Sequence, residues 1–133
     1  MLWACQQLAH SELADQEWIT FIDNSGHVKQ SLTNANIWQQ SGAIGAALLK
    51  QLKPGNKVLL VYTPGIEFVL AMLACLRAQL IAVPIPPPDF TQNGVRAQEE
   101  SRKFIAIVKA SGAVAVLTNH EYHRAKSINS VRK

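Results

Sequence analysis

Between Lys57 and Pro88 the chain passes through two short apolar runs, Val58-Leu59-Leu60-Val61-Tyr62 and Leu80-Ile81-Ala82-Val83-Pro84-Ile85, with a longer apolar segment between them. No other feature restricts the fold so strongly. An aliphatic run without polar alternation suits a strand covered on both faces, so both runs are expected to be buried strands, Lys57–Tyr62 and Leu80–Ile85. Thr63-Pro64-Gly65 turns the chain into a helix over about Ile66–Ala78. Phe68, Val69, Leu70, Met72, Leu73 and Leu76 make that helix apolar on nearly every side, which predicts burial between layers. A strand, one helix and a second strand at this spacing make a right-handed crossover with parallel strands. Pro86-Pro87-Pro88 then fixes an extended exit that has no N–H groups in need of partners.

The flanking segments extend the alternation. Trp18–Ile22 and His27–Leu32 enclose Asp23-Asn24-Ser25-Gly26, the chemistry of a hairpin turn. Thr33 is placed to cap a helix from about Asn34 to Leu52, with Ile37, Ile44, Leu48 and Leu52 on one face. Gly42 and Gly45 lie inside that helix, where each costs about 1 kcal/mol against Ala, so a close approach of neighbouring backbone is expected to offset the cost. A helix from about Val95 to Ser111 carries Phe104, Ile105, Ile107 and Val108, with Glu99 and Lys103 paired one turn apart. Gly112 closes it, and Ala113–Leu117 reads as a third strand. The fold class expected is α/β: a partial doubly wound, mainly parallel sheet with flanking helices, preceded by a small antiparallel hairpin.

Composition narrows the function. With 133 residues, 48% hydrophobic and 17% charged, the chain has material for one globular core. Its net charge of +4 comes from 13 basic and 9 acidic residues, and Arg124, Lys126, Arg132 and Lys133 crowd the polar end rather than forming a nucleic-acid stripe. Cys5 and Cys75 stand apart with no CxxC pattern, and the opening MLWACQQLAH has neither a basic nor a long apolar region. Free thiols in the cytosol are expected. Arg77 and the prolines argue against a membrane span over Phe68–Pro88.

Candidate chemistry is sparse. Neither GxGxxG nor GxxxxGK[ST] occurs. Gly65 could let backbone N–H groups at a helix start meet an anion, but a plain strand-to-helix turn needs the same residues and is the preferred reading. His120-Glu121-Tyr122-His123 sets two histidines beside a carboxylate without a further ligand cluster. Glu67 suits the positive end of its helix without a catalytic role. Pro84-Ile85-Pro86-Pro87 matches PxxP, but a buried strand would not display it. No nucleophile has its base, so no catalytic, cofactor-binding or metal-binding residue is assigned.

The segment Pro54-Gly55-Asn56-Lys57-Val58-Leu59-Leu60-Val61-Tyr62-Thr63-Pro64-Gly65-Ile66-Glu67-Phe68 resembles the amino-terminal region of the fatty acyl-AMP ligases, of the adenylate-forming superfamily. Ala74-Cys75-Leu76-Arg77-Ala78-Gln79-Leu80-Ile81-Ala82-Val83-Pro84-Ile85-Pro86-Pro87-Pro88 is similar to the helix, Ala-Gly turn and Val-Pro strand end that follow there. Ser111-Gly112-Ala113 with Val116-Leu117-Thr118 resembles the next strand, and Phe21-Ile22-Asp23 with Ser31-Leu32-Thr33 the opening hairpin and helix. Gln79 departs from the family, which usually has Gly there; a positive φ at this position would impose about 1 kcal/mol of strain.

The resemblance spans roughly Trp18–Thr118 and implies an amino-terminal subdomain at residues 1–118 followed by a polar tail at 119–133. It further implies a complete enzyme that uses ATP and Mg²⁺ to activate a fatty acid to an acyl-adenylate and passes the acyl group to a carrier protein. The family's phosphate loop, nucleotide-binding motifs and lid have no counterpart in these residues. The expected role of this chain is therefore scaffold, with a share of the acyl-pocket wall, and no cofactor of its own. Its expected partner is the rest of the ligase or a dimer partner. The rival reading is a non-catalytic dimerisation or protein-interaction module, because half a sheet leaves an edge and an apolar face uncovered.

Overall fold

The computed structural model describes residues 2–88 and 95–120. Element order is α1 (Leu2–Ala9), β1 (Glu17–Ile22), β2 (Val28–Thr33), α2 (Asn34–Leu48), β3 (Lys57–Val61), α3 (Ile66–Arg77), β4 (Ile81–Ile85), α4 (Val95–Ser111) and β5 (Ala115–Thr118). Strands β1 and β2 form an antiparallel pair, while β3, β4 and β5 form a parallel sheet in the order β4-β3-β5.

Local chemistry explains the element ends. At the hairpin turn the Asp23 carboxylate accepts from the Ser25 and His27 N–H groups at 2.8 and 3.0 Å. Thr33 Oγ1 accepts from the Asn36 N–H at 3.2 Å and so caps α2. That helix stops at Leu48 rather than Leu52; turns carry the chain onward, and Asn56 Oδ1 accepts from the Lys53 N–H at 2.9 Å. Leu52 still packs on the sheet, so the apolar periodicity outlasts the helix. The helix α1 lies outside the periodic segments read from the sequence and packs on α2. Along α4, Lys103 reaches Glu100 at 3.4 Å, three residues away, instead of Glu99. The last strand begins two residues later than expected, because the left-handed Gly112 (φ 65) and the Ser111 hydroxyl, which accepts from the Ala113 N–H, hold the chain in a turn.

Among the described strands β3 is the most deeply buried: Val58, Leu59, Leu60 and Val61 are at most 1% exposed. Val58 and Leu60 meet Ala71 and Cys75 of α3 and Ala78 at its C-cap, while Leu59 and Val61 face Phe104 and Val108 of α4. Helices on both faces are what a doubly wound layer requires. A second core, Leu32, Ile37, Ile66, Leu70 and Leu73, joins the hairpin to α2 and α3. The expectation of a buried strand at Leu80–Ile85 is corrected: β4 is an edge strand, with Ile81 48% exposed and Pro84 also exposed. Its residues are apolar, but nothing among the described residues pairs with its outer side. Leu76 likewise emerges to 37% exposure on α3, so that helix is buried on two sides rather than all round.

The end of α3 answers the question raised by Gln79. Its φ is 55°, the left-handed region. Gln79 N–H donates to Leu76 O at 3.2 Å and Leu80 N–H donates to Cys75 O at 2.8 Å, the paired bonds of a Schellman cap, which favours Gly at this position. Gln79→Gly is therefore expected to stabilise the protein by about 1 kcal/mol, measured as a higher urea midpoint at unchanged slope. A midpoint that falls would mean that the Gln79 side chain contributes more than its strain costs.

Candidate functional site

Open α/β sheets place ligands outside the carboxyl ends of their strands, where the strand order reverses. Here the chain runs outward from β3 to β4 and then returns across β3 to β5, so the reversal lies between β3 and β5. Tyr62-Thr63 and Thr118-Asn119 stand at that point. The buried Asn119 amide donates from Nδ2 to Thr63 Oγ1 at 3.0 Å and ties the two strand ends together. Thr118 Oγ1 is buried without a hydrogen-bond partner. Below it, α3 starts at Gly65, which is extended (φ 167°) and gives no side-chain cap, with Glu67 in the first turn.

Tyr62 packs edge-on against Phe68, ring centroids 6.4 Å apart. Burial first, then the neighbouring Glu67 carboxylate and Cys75, push its phenol up from 10.0 to about 12. At neutral pH this group is uncharged and can donate a hydrogen bond, but it does not act as a base. The sign of the pH effect follows. The folded state holds the Tyr62 proton more tightly than the unfolded chain, so its contribution is complete below pH 10 and is lost as the pH rises toward 12. Tyr62→Phe is expected to flatten the alkaline loss of stability, read from thermal melts across that range; an equally steep loss in the variant would contradict it.

The Cys75 thiol is buried and its pKa is pushed up by that burial, which leaves it a poor nucleophile. Arg77 lies over the Trp38 ring, with Cζ 3.5 Å from the centroid, and donates to Trp38 O and to Ser41 Oγ. Burial lowers its pKa and the nearby Cys5 opposes that shift. Of the histidine pair noted in the sequence, His120 is exposed, and residues 121–123 lie outside the described residues. Among the described residues no group of three His, Cys, Asp or Glu side chains could hold a metal ion. The PxxP run is not buried as expected, since Pro84 and Pro86 are exposed at the edge. The Asn119–Thr63 and Arg77–Trp38 contacts had no sequence signal.

The strand ends at the switch point are thus held together by Thr63 and Asn119, with the buried Thr118 hydroxyl beside them. The family model described as AMP-binding enzyme matches residues 9–133. This chain belongs to that family. Within the AMP-binding enzymes it is 29% identical over 126 residues to the medium-chain-fatty-acid acyl-carrier-protein ligase JamA of Moorena producens, covering 94% of this chain and 20% of JamA. The crystal structure of the fatty acid AMP ligase from Legionella pneumophila superposes with a TM-score of 0.78 at 31% identity, over 93% of this chain and 20% of that one. The N-terminal subdomain of Klebsiella oxytoca NpsA shares the fold, with a TM-score of 0.65 at 17% identity, over 87% of this chain and 26% of that chain. The chain corresponds to the amino-terminal portion of fatty acyl-AMP ligases and spans about 20% of the length of JamA and the Legionella ligase. Among the described residues no helix is long and apolar enough to cross a membrane.

Proposed function

We propose that this AMP-binding family chain serves as the amino-terminal part of an enzyme that activates fatty acids with ATP and Mg²⁺ to acyl-adenylates and hands the acyl group to a carrier protein. The observation that carries this reading is the 31% identity and TM-score of 0.78 to the Legionella ligase, maintained over 93% of the chain. In this reading residues 1–118 are a scaffold subdomain that contributes a share of the acyl-pocket wall rather than catalytic groups, and residues 119–133 are a polar tail. Two free thiols, both buried, accord with a reducing cytosol.

Alone, the 133-residue chain is expected to release no pyrophosphate from ATP and a long-chain fatty acid. Pyrophosphate above the protein-free blank would refute the scaffold role. The exposed Ile105, Ile107, Val114 and Val116 favour the rival reading of an interaction module enough to keep it testable. Sedimentation of the purified chain separates the two: a tight, specific dimer supports the module, and soft association or poor solubility supports a part lacking its remainder.

A further inference from the structure

The amino ends of the three parallel strands and the carboxyl ends of α2, α3 and α4 meet at one end of the molecule. Ile81 N–H, at the start of β4, donates to Asn56 O at 2.9 Å, and Val114 N–H, just before β5, donates to Lys57 O at 2.9 Å, so all three strands begin beside Lys57. Gly55 N–H donates to Gln79 O at 2.8 Å and Lys53 N–H to Asn56 Oδ1 at 2.9 Å, which brings the turns leaving α2 and α3 to the same place. Helix α4 runs back to the start of β5 and ends here at Ser111.

This end carries charge of one sign. Lys50, Lys53, Lys57 and Lys109 are all exposed, and among the described residues none of them is in an ion pair. The segments 46–61, 76–85 and 105–118 that build this end contain no Asp or Glu. The described acids lie elsewhere: Glu67 and Glu99 stand near the amino ends of α3 and α4, and Asp23 folds the hairpin turn. Glu12, Asp15 and Glu17 flank a loop whose Ala14 O and Gln16 O accept from the Ala35 and Asn34 N–H groups, at the amino end of α2. About half a negative charge at each helix carboxyl end leaves most of the lysine charge unbalanced. Large aliphatic side chains are exposed beside it: Leu49, 44% exposed, precedes Lys50, and Ile81, 48% exposed, is the cross-strand partner of Lys57.

We propose that this end of the molecule binds the surface of an anionic membrane, with the lysines over lipid headgroups and Leu49 and Ile81 entering the acyl boundary. Charge complementarity selects an anionic partner. The side chains select lipid: the three segments hold no aromatic ring on which a nucleic-acid base could stack, and their one arginine, Arg77, is engaged on Trp38. Lysines beside exposed aliphatic groups are the chemistry of an interfacial lipid contact. Membrane binding goes beyond the reading under Proposed function and does not depend on it; where both hold, the ligase meets its fatty acid at the surface into which long acyl chains partition.

Sedimentation with vesicles provides the test. The 133-residue chain is expected to pellet with vesicles of equal parts phosphatidylcholine and phosphatidylserine, to stay in solution with pure phosphatidylcholine, and to be released as salt rises. Lys50→Gln combined with Lys53→Gln is expected to weaken partitioning about 25-fold, about fivefold for each charge lost. Leu49→Ser is expected to weaken it while leaving the salt response in place. Lys29→Gln, on the separate hairpin, is expected to bind as the parent does, and every variant is checked for folding by circular dichroism. No pelleting with the anionic vesicles, or equal pelleting with pure phosphatidylcholine, overturns the proposal. Undiminished binding by the Lys50/Lys53 variant assigns the contact to other basic residues, and an equal loss in Lys29→Gln reports net charge alone; either overturns it. Binding to a DNA duplex or an acidic protein without binding to vesicles overturns the lipid occupant.

Discussion

Gly45→Leu is expected to cost about 3 kcal/mol of stability, the largest loss foreseen for any single exposed-to-apolar or size change in the helical layer. Gly45 of α2 faces the backbone of α3. A Cβ added there would lie 3.1 Å from Ala74 O and 3.8 Å from Ala78 Cβ. The obstructing atom is backbone and cannot swing away, because Ala74 O accepts the Ala78 N–H at 2.9 Å where α3 ends. A leucine side chain must therefore push the helices apart, opening the packing around Ala74, which is fully buried. Gly45→Ala is the informative control: the helix gains about 1 kcal/mol of propensity and loses a comparable amount to the tight contact, for a net change near zero. Urea unfolding of both variants measures the pair. A Leu variant as stable as the parent would mean that α2 and α3 do not cross this closely.

Arg77→Ala is expected to lose about 2 kcal/mol, from the stack on Trp38, the charge-assisted bonds to Trp38 O and Ser41 Oγ, and the packing of the side-chain stem. Partial exposure keeps the figure from being larger. Gly42 gives the prediction a sharper form. A Cβ at Gly42 would lie 2.8 Å from one guanidinium nitrogen and 2.9 Å from the other, so Gly42→Ala in the parent displaces the group that braces α2. With Arg77 already truncated, the three atoms nearest that Cβ are gone, and the same change should gain about 1 kcal/mol of helix propensity. The sign of Gly42→Ala is therefore expected to depend on Arg77, and a double-mutant cycle reads that coupling directly. Additive effects would show that Gly42 and Arg77 are not coupled.

Much of the fold was legible because its signals are local. Thr33, Asn34 and Asn36 specify a helix start within one turn, Asp23 folds its own hairpin loop, and the apolar run of β3 suits a strand covered from both sides. At Gln79 the resemblance, through the Gly its members usually have there, raised the question of a positive φ, and the helix C-terminus supplies it. The family assignment followed from the same stretches, since the Thr-Pro-Gly turn and the proline-rich strand end are contiguous in sequence. The candidate site was much less so: Thr63 and Asn119 are separated by 56 positions, and Trp38 and Arg77 by 39. No periodicity connects residues that far apart.

The sequence by itself determined the kinds of element from β1 onward, several of their ends, the parallel α/β class and the family. Only the tertiary structure decided which strand is central. Apolar composition made β3 and β4 look alike, yet burial belongs to a strand's neighbours rather than to its residues, and β4 has a neighbour on one side alone among the described residues. The prolines at 84 and 86 gain their meaning from that placement: within a ladder they would be defects, and on an outer edge they close it.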